Sequence, residues 1–179
     1  LLFAGEDGVA AVSIIMYLQF LCIGIYFGFS MGLSTPLGYA YGDRNFSVCR
    51  VLEKYAYRFF AIAPIILYGC TYLLAPIGVY FFASPGSTVF DMAISGLRLY
   101  GLGFLFSGIN IFAAIRMMTY GKGYISGMIT FLRSFALLLL FLTVLPRFLE
   151  LNGIWLAVPA AEILTLIVAL WTLRKKTVA

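Results

Sequence analysis

Five long apolar runs, separated by short polar clusters, recur along the chain near residues 9–33, 59–82, 92–118, 125–146 and 153–173. At about 1.5 Å per helical residue, each can cross a hydrocarbon layer of about 30 Å. The runs exceed the length of ordinary strands, and an open sheet edge cannot survive in lipid. Nor do they show the alternation of apolar and polar positions that an outer-membrane barrel requires. The pattern therefore predicts an all-α integral membrane protein, a polytopic bundle of five transmembrane helices.

The punctuation between the runs sets expected boundaries. Ser34-Thr35-Pro36 is expected to end the first span, because proline lacks a donor and disfavours helix at the residue before it, and Tyr39 to Asn45 supplies turn residues. A basic connection follows, with room for an interfacial helix. Pro64 and Pro76 in the second span and Pro159 in the fifth each leave a carbonyl without its usual partner and favour a kink.

Composition agrees with the pattern. Of 179 residues, 63% are hydrophobic and 11% charged, against about a quarter charged in soluble domains. Histidine is absent, and Cys22, Cys49 and Cys70 are scattered, so neither a zinc motif nor a disulfide framework is present. No phosphate-binding loop, nucleophile elbow or paired catalytic carboxylates appear, which leaves an enzyme reading without support and predicts no catalytic or metal residues. The start at Leu1-Leu2-Phe3, without methionine or a basic leader, does not read as a signal peptide and suggests a piece of something larger.

Charge adds an orientation. Arg44, Arg50, Lys54 and Arg58 follow the first span, Lys122 follows the third, and Arg174, Lys175 and Lys176 follow the fifth. Glu6, Asp7, Asp91 and Glu150 fall in the alternate connections, with Arg147 the lone basic residue there. The positive-inside rule then places the amino end outside and the carboxyl end in the cytoplasm. The net charge of +5 is explained by loops facing anionic headgroups, so nucleic acid is not an expected partner.

Inside the spans, ionisable residues are the strongest candidates for function, because an unpaired charge at the bilayer centre costs several kcal/mol. Glu162 stands roughly 14 Å from the outer start of the fifth span, and Arg133 roughly 12 Å from the cytoplasmic start of the fourth. Their depths nearly coincide, so the two are expected to face the bundle interior and pair, as a structural link or as part of a transport site. Gln19 in the first span and Asn110 in the third are amides that need partners in hydrocarbon, most simply across helices. Arg98 and Arg116, near the ends of the third span, are read as anchors snorkelling to headgroups. Gly24, Gly28 and Gly32 share one face of the first span, a spacing suited to tight helix packing. Aromatic side chains, seventeen Phe and twelve Tyr, suit lipid-facing positions or a cavity for flat organic cations.

Several phrases are recognisable together: GEDGVAAVSI at 5–14, TPLGYAYGDRN at 35–45, GLRLYGLGFLFSGINIF at 96–112, LR and its leucine run at 132–145, and NGIWLAVPAAEILT at 152–165. With them the chain resembles the multidrug and toxic compound extrusion (MATE) family over essentially its whole length, in a bacterial, multidrug-type subgroup. The resemblance implies a two-lobe transporter of twelve helices, of which these five would be the eighth to twelfth and so most of the six-helix carboxyl-terminal lobe. It further implies an antiporter in the cytoplasmic membrane that exports organic cations and other amphipathic compounds against inward sodium ions or protons by alternating access. Its partners would be those small molecules, the lipid bilayer and the amino-terminal lobe, without which this lobe should not pump. Many members carry an acid in the tenth helix, but residues 92–118 contain none, which leaves Glu162 as the acidic candidate. Arg133 keeps open a lipid-linked oligosaccharide flippase of the same superfamily, and a pore or non-transporting interaction subunit is the alternative from another class.

Overall fold

The computed structural model describes residues 5–174 and consists of five long helices. They are α1 (Gly5–Gly42), α2 (Phe46–Tyr80), α3 (Thr88–Thr119), α4 (Gly123–Val144) and α5 (Pro146–Arg174), each long and apolar enough to span a membrane. Among the described residues there is no strand. Lys175 and Lys176, counted above in the basic tail, lie outside the described residues, as do residues 1–4.

Short connections fix the antiparallel order. Asn45 caps α2, its Oδ1 accepting from the Val48 amide at 3.3 Å, and Ser87 caps α3 by accepting from the Phe90 amide at 3.2 Å. Each cap satisfies one of the amides that a helix start leaves without an internal partner. Gly121 supplies the left-handed residue (φ +71°) that turns the chain between α3 and α4.

α1 and α2 depart from expectation. α1 continues through Pro36 to Gly42, and α2 begins at Phe46, so no interfacial helix intervenes. One missing backbone bond is outweighed by packing, since Leu37 and Ala40 of the extension are buried with Cys49 and Tyr120. Arg50, Lys54 and Arg58 consequently sit on the first turns of α2 rather than in a loop. The helices likewise run on through Pro64, Pro76 and Pro159. The marked break lies in α5 at Glu150, a non-glycine residue at φ 49°, which separates one initial turn from the rest of the helix.

α3 is the centre of the bundle and contacts all four other helices, whereas α4 packs mainly on α3 and α5 and is the least enclosed. One end of the core joins Ile15, Val79, Leu97 and Trp155, and its middle joins Tyr26, Phe60, Phe104 and Phe112. Close approach depends on glycines of α3. A Cβ on Gly108 would stand 2.8 Å from the Phe60 ring, and one on Gly96 2.8 Å from Ile15 and 2.9 Å from Trp155.

Gly24, Gly28 and Gly32 make no such approach among the described helices. All three are exposed, and a Cβ on any of them would meet nothing within 4 Å. Their spacing places them on one face as expected, but α1 turns that face away from the other described helices.

Candidate functional site

Two local irregularities position the interior polar groups. α3 tightens into a 3-10 turn at Gly101–Gly103, where a Cβ on Gly103 would stand 3.4 Å from the Pro159 backbone nitrogen of α5. The glycines and the tighter turn let the α3 and α5 backbones come close, and Asn110, two turns further along α3, then reaches Glu162. In α4, a π-helical turn spans Leu132–Ala136 and contains Arg133. Such turns are rare and are found disproportionately at functional sites.

Glu162 is 4% exposed, yet its carboxylate is well supplied with donors. Arg133 directs Nη2 at 2.6 Å and Nε at 3.1 Å to Glu162 Oε1. Asn110 Nδ2 donates to Oε2 at 2.7 Å and to the Glu162 backbone carbonyl at 2.9 Å. Three helices thus meet on one carboxylate, and the depth arithmetic that paired Glu162 with Arg133 agrees with the geometry. The network is not saturated. Asn110 Oδ1 and Ser107 Oγ, one turn apart on the same helix, are buried without partners, and such orphaned atoms commonly take water or a ligand.

Gln19 stands apart from this trio. Its Oε1 accepts a hydrogen bond from Tyr100 Oη, which ties α1 to α3. Sequence reasoning missed Tyr100 because a tyrosine in an aromatic-rich apolar run gives no signal of its own.

A second ionic group was also missed. Glu53 of α2 accepts from Arg116 Nε and, at 2.6 Å, from Tyr120 Oη. The Arg116 guanidinium lies over the Tyr120 ring, 5.0 Å from its centroid, and Tyr41 stacks on that ring at 4.4 Å. Burial, and after it the bond to Glu53, pushes the Tyr120 phenol above its ordinary range and keeps it a donor. This corrects the reading of Arg116 as a headgroup anchor: it is 3% exposed because its side chain leaves the interior face of α3. Glu53 seemed to lie in a loop only because α2 was expected to begin later. Arg98 is half-buried, stacking on Tyr72 at 4.7 Å and donating to the Tyr72 carbonyl at 3.4 Å.

A family model described as MatE matches residues 1–145. The chain belongs to the MatE family. The fold is shared with solved structures of that kind. One is the inward-facing conformation of a multidrug resistance MATE family transporter of the MOP superfamily, with TM-score 0.85 and 23% identity over 94% of this chain and 40% of that one. Another is a mutant of the Vibrio cholerae MATE transporter VcmN, with TM-score 0.87 and 21% identity over 96% of this chain and 39% of that one. A third is a MOP superfamily transporter from Pyrococcus furiosus whose binding pocket has reverse polarity, suggesting a different function, with TM-score 0.85 and 23% identity over 95% of this chain and 39% of that one. No curated protein matches the chain. The chain spans about two fifths of the length of these structures, and likeness at this identity carries the fold.

Membership in the MatE family makes this a multi-pass membrane protein of a transporter family, and the two ionic groups lie within an all-α MATE-type lobe. Among the described residues no three His, Cys, Asp or Glu side chains gather as a metal site would require. Glu162 is the acidic centre of the polar network that spans α3, α4 and α5.

Proposed function

We propose that the chain supplies most of one lobe of a multidrug efflux antiporter, which exports organic cations or other amphipathic compounds in exchange for protons or sodium ions. In this reading the lobe sits in the cytoplasmic membrane with its amino end outside, as the loop charges suggest. The observation that carries the reading is the Glu162–Arg133–Asn110 network. A buried carboxylate already neutralised by a guanidinium is a point of competition, because a proton, a sodium ion or an organic cation arriving at Glu162 displaces part of the attraction that holds Arg133. Arg133 lies on the π turn of the least enclosed helix, so weakening the pair removes a polar tie between α4 and α5 while Ile129 keeps α4 packed on both neighbours. Asn110 stays attached to the α5 backbone and keeps Glu162 oriented. Alternating access then requires a second lobe against which this one rocks.

The test is efflux of a fluorescent organic cation from vesicles holding the two-lobe transporter, under separate proton and sodium gradients, with and without Glu162→Gln. Gradient-driven efflux, reduced about tenfold or more by the substitution, is the expected result. Flux of the dye that ignores both gradients would contradict antiport.

A second reading rests on Arg133. A guanidinium in the polar network suits an anionic substrate, as in a flippase for lipid-linked oligosaccharides. No dye efflux under either gradient, together with translocation of such a lipid that is lost in Arg133→Gln, would favour that reading.

A further inference from the structure

The outward face of α2 carries charges that neither ionic group uses. Arg50, Lys54 and Arg58 follow one another at intervals of four residues and are all exposed. None has a hydrogen-bond or ion-pair partner among the described residues. The acid of this segment, Glu53, points the other way and is occupied by Arg116 and Tyr120. Lys54 and Arg58, with Val51 and Tyr55, line a cavity of about 180 Å³.

Helix length sets the depth of this face. α2 has 35 residues, about 52 Å, so roughly 20 Å projects beyond a hydrocarbon core of about 30 Å. The apolar run of α2 begins at Phe59, which leaves Arg58 and Lys54 within about 8 Å of it, at headgroup level, and Arg50 one turn further out with a side chain long enough to reach back. One and two turns below Arg58, Ile62 and Ile65 are 60% and 66% exposed. The face is thus cationic at headgroup depth and aliphatic directly beneath.

We propose that the face of α2 formed by Arg50, Lys54 and Arg58 over Ile62 and Ile65 binds an anionic phospholipid, its phosphate between the basic side chains and an acyl chain along the isoleucines. Side chains one helical turn apart leave the helix with their Cβ atoms about 6 Å from each other, so neighbouring Arg and Lys termini can converge on one phosphodiester group that accepts from both. Arginine contributes a planar pair of donors and lysine a compact charge, and both are standard phosphate ligands. The aliphatic strip separates this site from one for free phosphate or for an acidic protein segment. The inference needs the membrane-spanning character of α2 and is independent of antiport.

Native mass spectrometry of the protein, titrated with phosphatidylglycerol, phosphatidylcholine and separately inorganic phosphate, provides the test. Phosphatidylglycerol is expected to bind at least about fivefold more tightly than phosphatidylcholine. Each of Arg50→Gln, Lys54→Gln and Arg58→Gln should reduce that preference by about twofold or more, and the triple substitution should abolish it. Lys54→Arg should retain it, and a large excess of inorganic phosphate should not displace the lipid. Lys122→Gln removes an exposed charge outside this face and should change the preference less than twofold. Equal binding of the two lipids, displacement by phosphate, or a Lys122→Gln effect equal to that of Lys54→Gln would overturn the proposal. Single substitutions at these exposed positions leave the core intact, so the outcome does not depend on the triple variant folding.

Discussion

Two arginine–glutamate pairs hold this lobe together, and they differ in what surrounds them. Glu53 and Arg116 join α2 to α3, the most enclosed helix of the bundle, with Tyr120 bonded to the same carboxylate and Tyr41 stacked behind it. Glu162 and Arg133 join α5 to α4, the least enclosed helix, across a π turn, and each pair has an orphaned polar atom beside it, Arg116 Nη1 at the first and Asn110 Oδ1 at the second. The chemistry of the two pairs is the same. What differs is the enclosure of the helices they join, and under the proposed function that difference becomes one between a structural bond and a switch.

The largest effect should come from the enclosed pair. Removing Arg116 as Arg116→Ala leaves Glu53 buried without its cation, which is expected to cost about 3–5 kcal/mol in reversible unfolding from detergent micelles. Replacing both partners at once, Glu53→Gln with Arg116→Met, should recover part of that loss. A double variant no more stable than Arg116→Ala would show that the cost lies elsewhere.

Packing offers a second contrast, with an effect of intermediate size. Gly108→Ala places a Cβ 2.8 Å from the Phe60 ring, an overpacking expected to cost about 1–3 kcal/mol. Gly28→Ala meets no atom within 4 Å and should be neutral or stabilising by up to about 1 kcal/mol. Thermal unfolding of the two variants side by side checks both signs.

A smaller loss of stability than that of Arg116→Ala should come from the pair on α4. Glu162→Gln keeps the shape of the side chain and an acceptor for Arg133, whereas Arg116→Ala truncates its residue, so the variant is expected to cost less than Arg116→Ala even while it impairs transport. Amide hydrogen exchange sharpens the point, since protection should be lower across the π turn of α4 than across Phe104 to Met117 of α3.

How much of this was legible in the sequence follows from what each signal encodes. Hydropathy encodes the solvent, so it revealed five spans. Antiparallel order combined with helical rise encodes depth, which was enough to match Glu162 with Arg133. Rotation about the helix axis is set by tertiary packing, and errors of rotation account for most of the misses. Gly24, Gly28 and Gly32 share a face, but nothing in their spacing says that the face looks outward. Arg116 was two residues from the end of its expected span and read as an anchor until α3 turned it inward. Glu53 was hidden because the first turns of α2 are polar, and only the burial of Cys49 against Leu37 and Ala40 makes that segment part of the bundle.

The central claim is that the Glu162–Arg133 contact opens during the transport cycle while Glu53–Arg116 stays closed. Paired spin labels provide the most direct measurement, placed at exposed Phe135 and Ile167 to report on α4 and α5, and at exposed Val51 and Met118 to report on α2 and α3. Distances would be recorded in vesicles with and without an imposed ion gradient and transported dye. The prediction is a shifted or broadened distribution for the first pair and an unchanged one for the second. A rigid α4–α5 distance under every condition, or movement confined to α2 and α3, would contradict it.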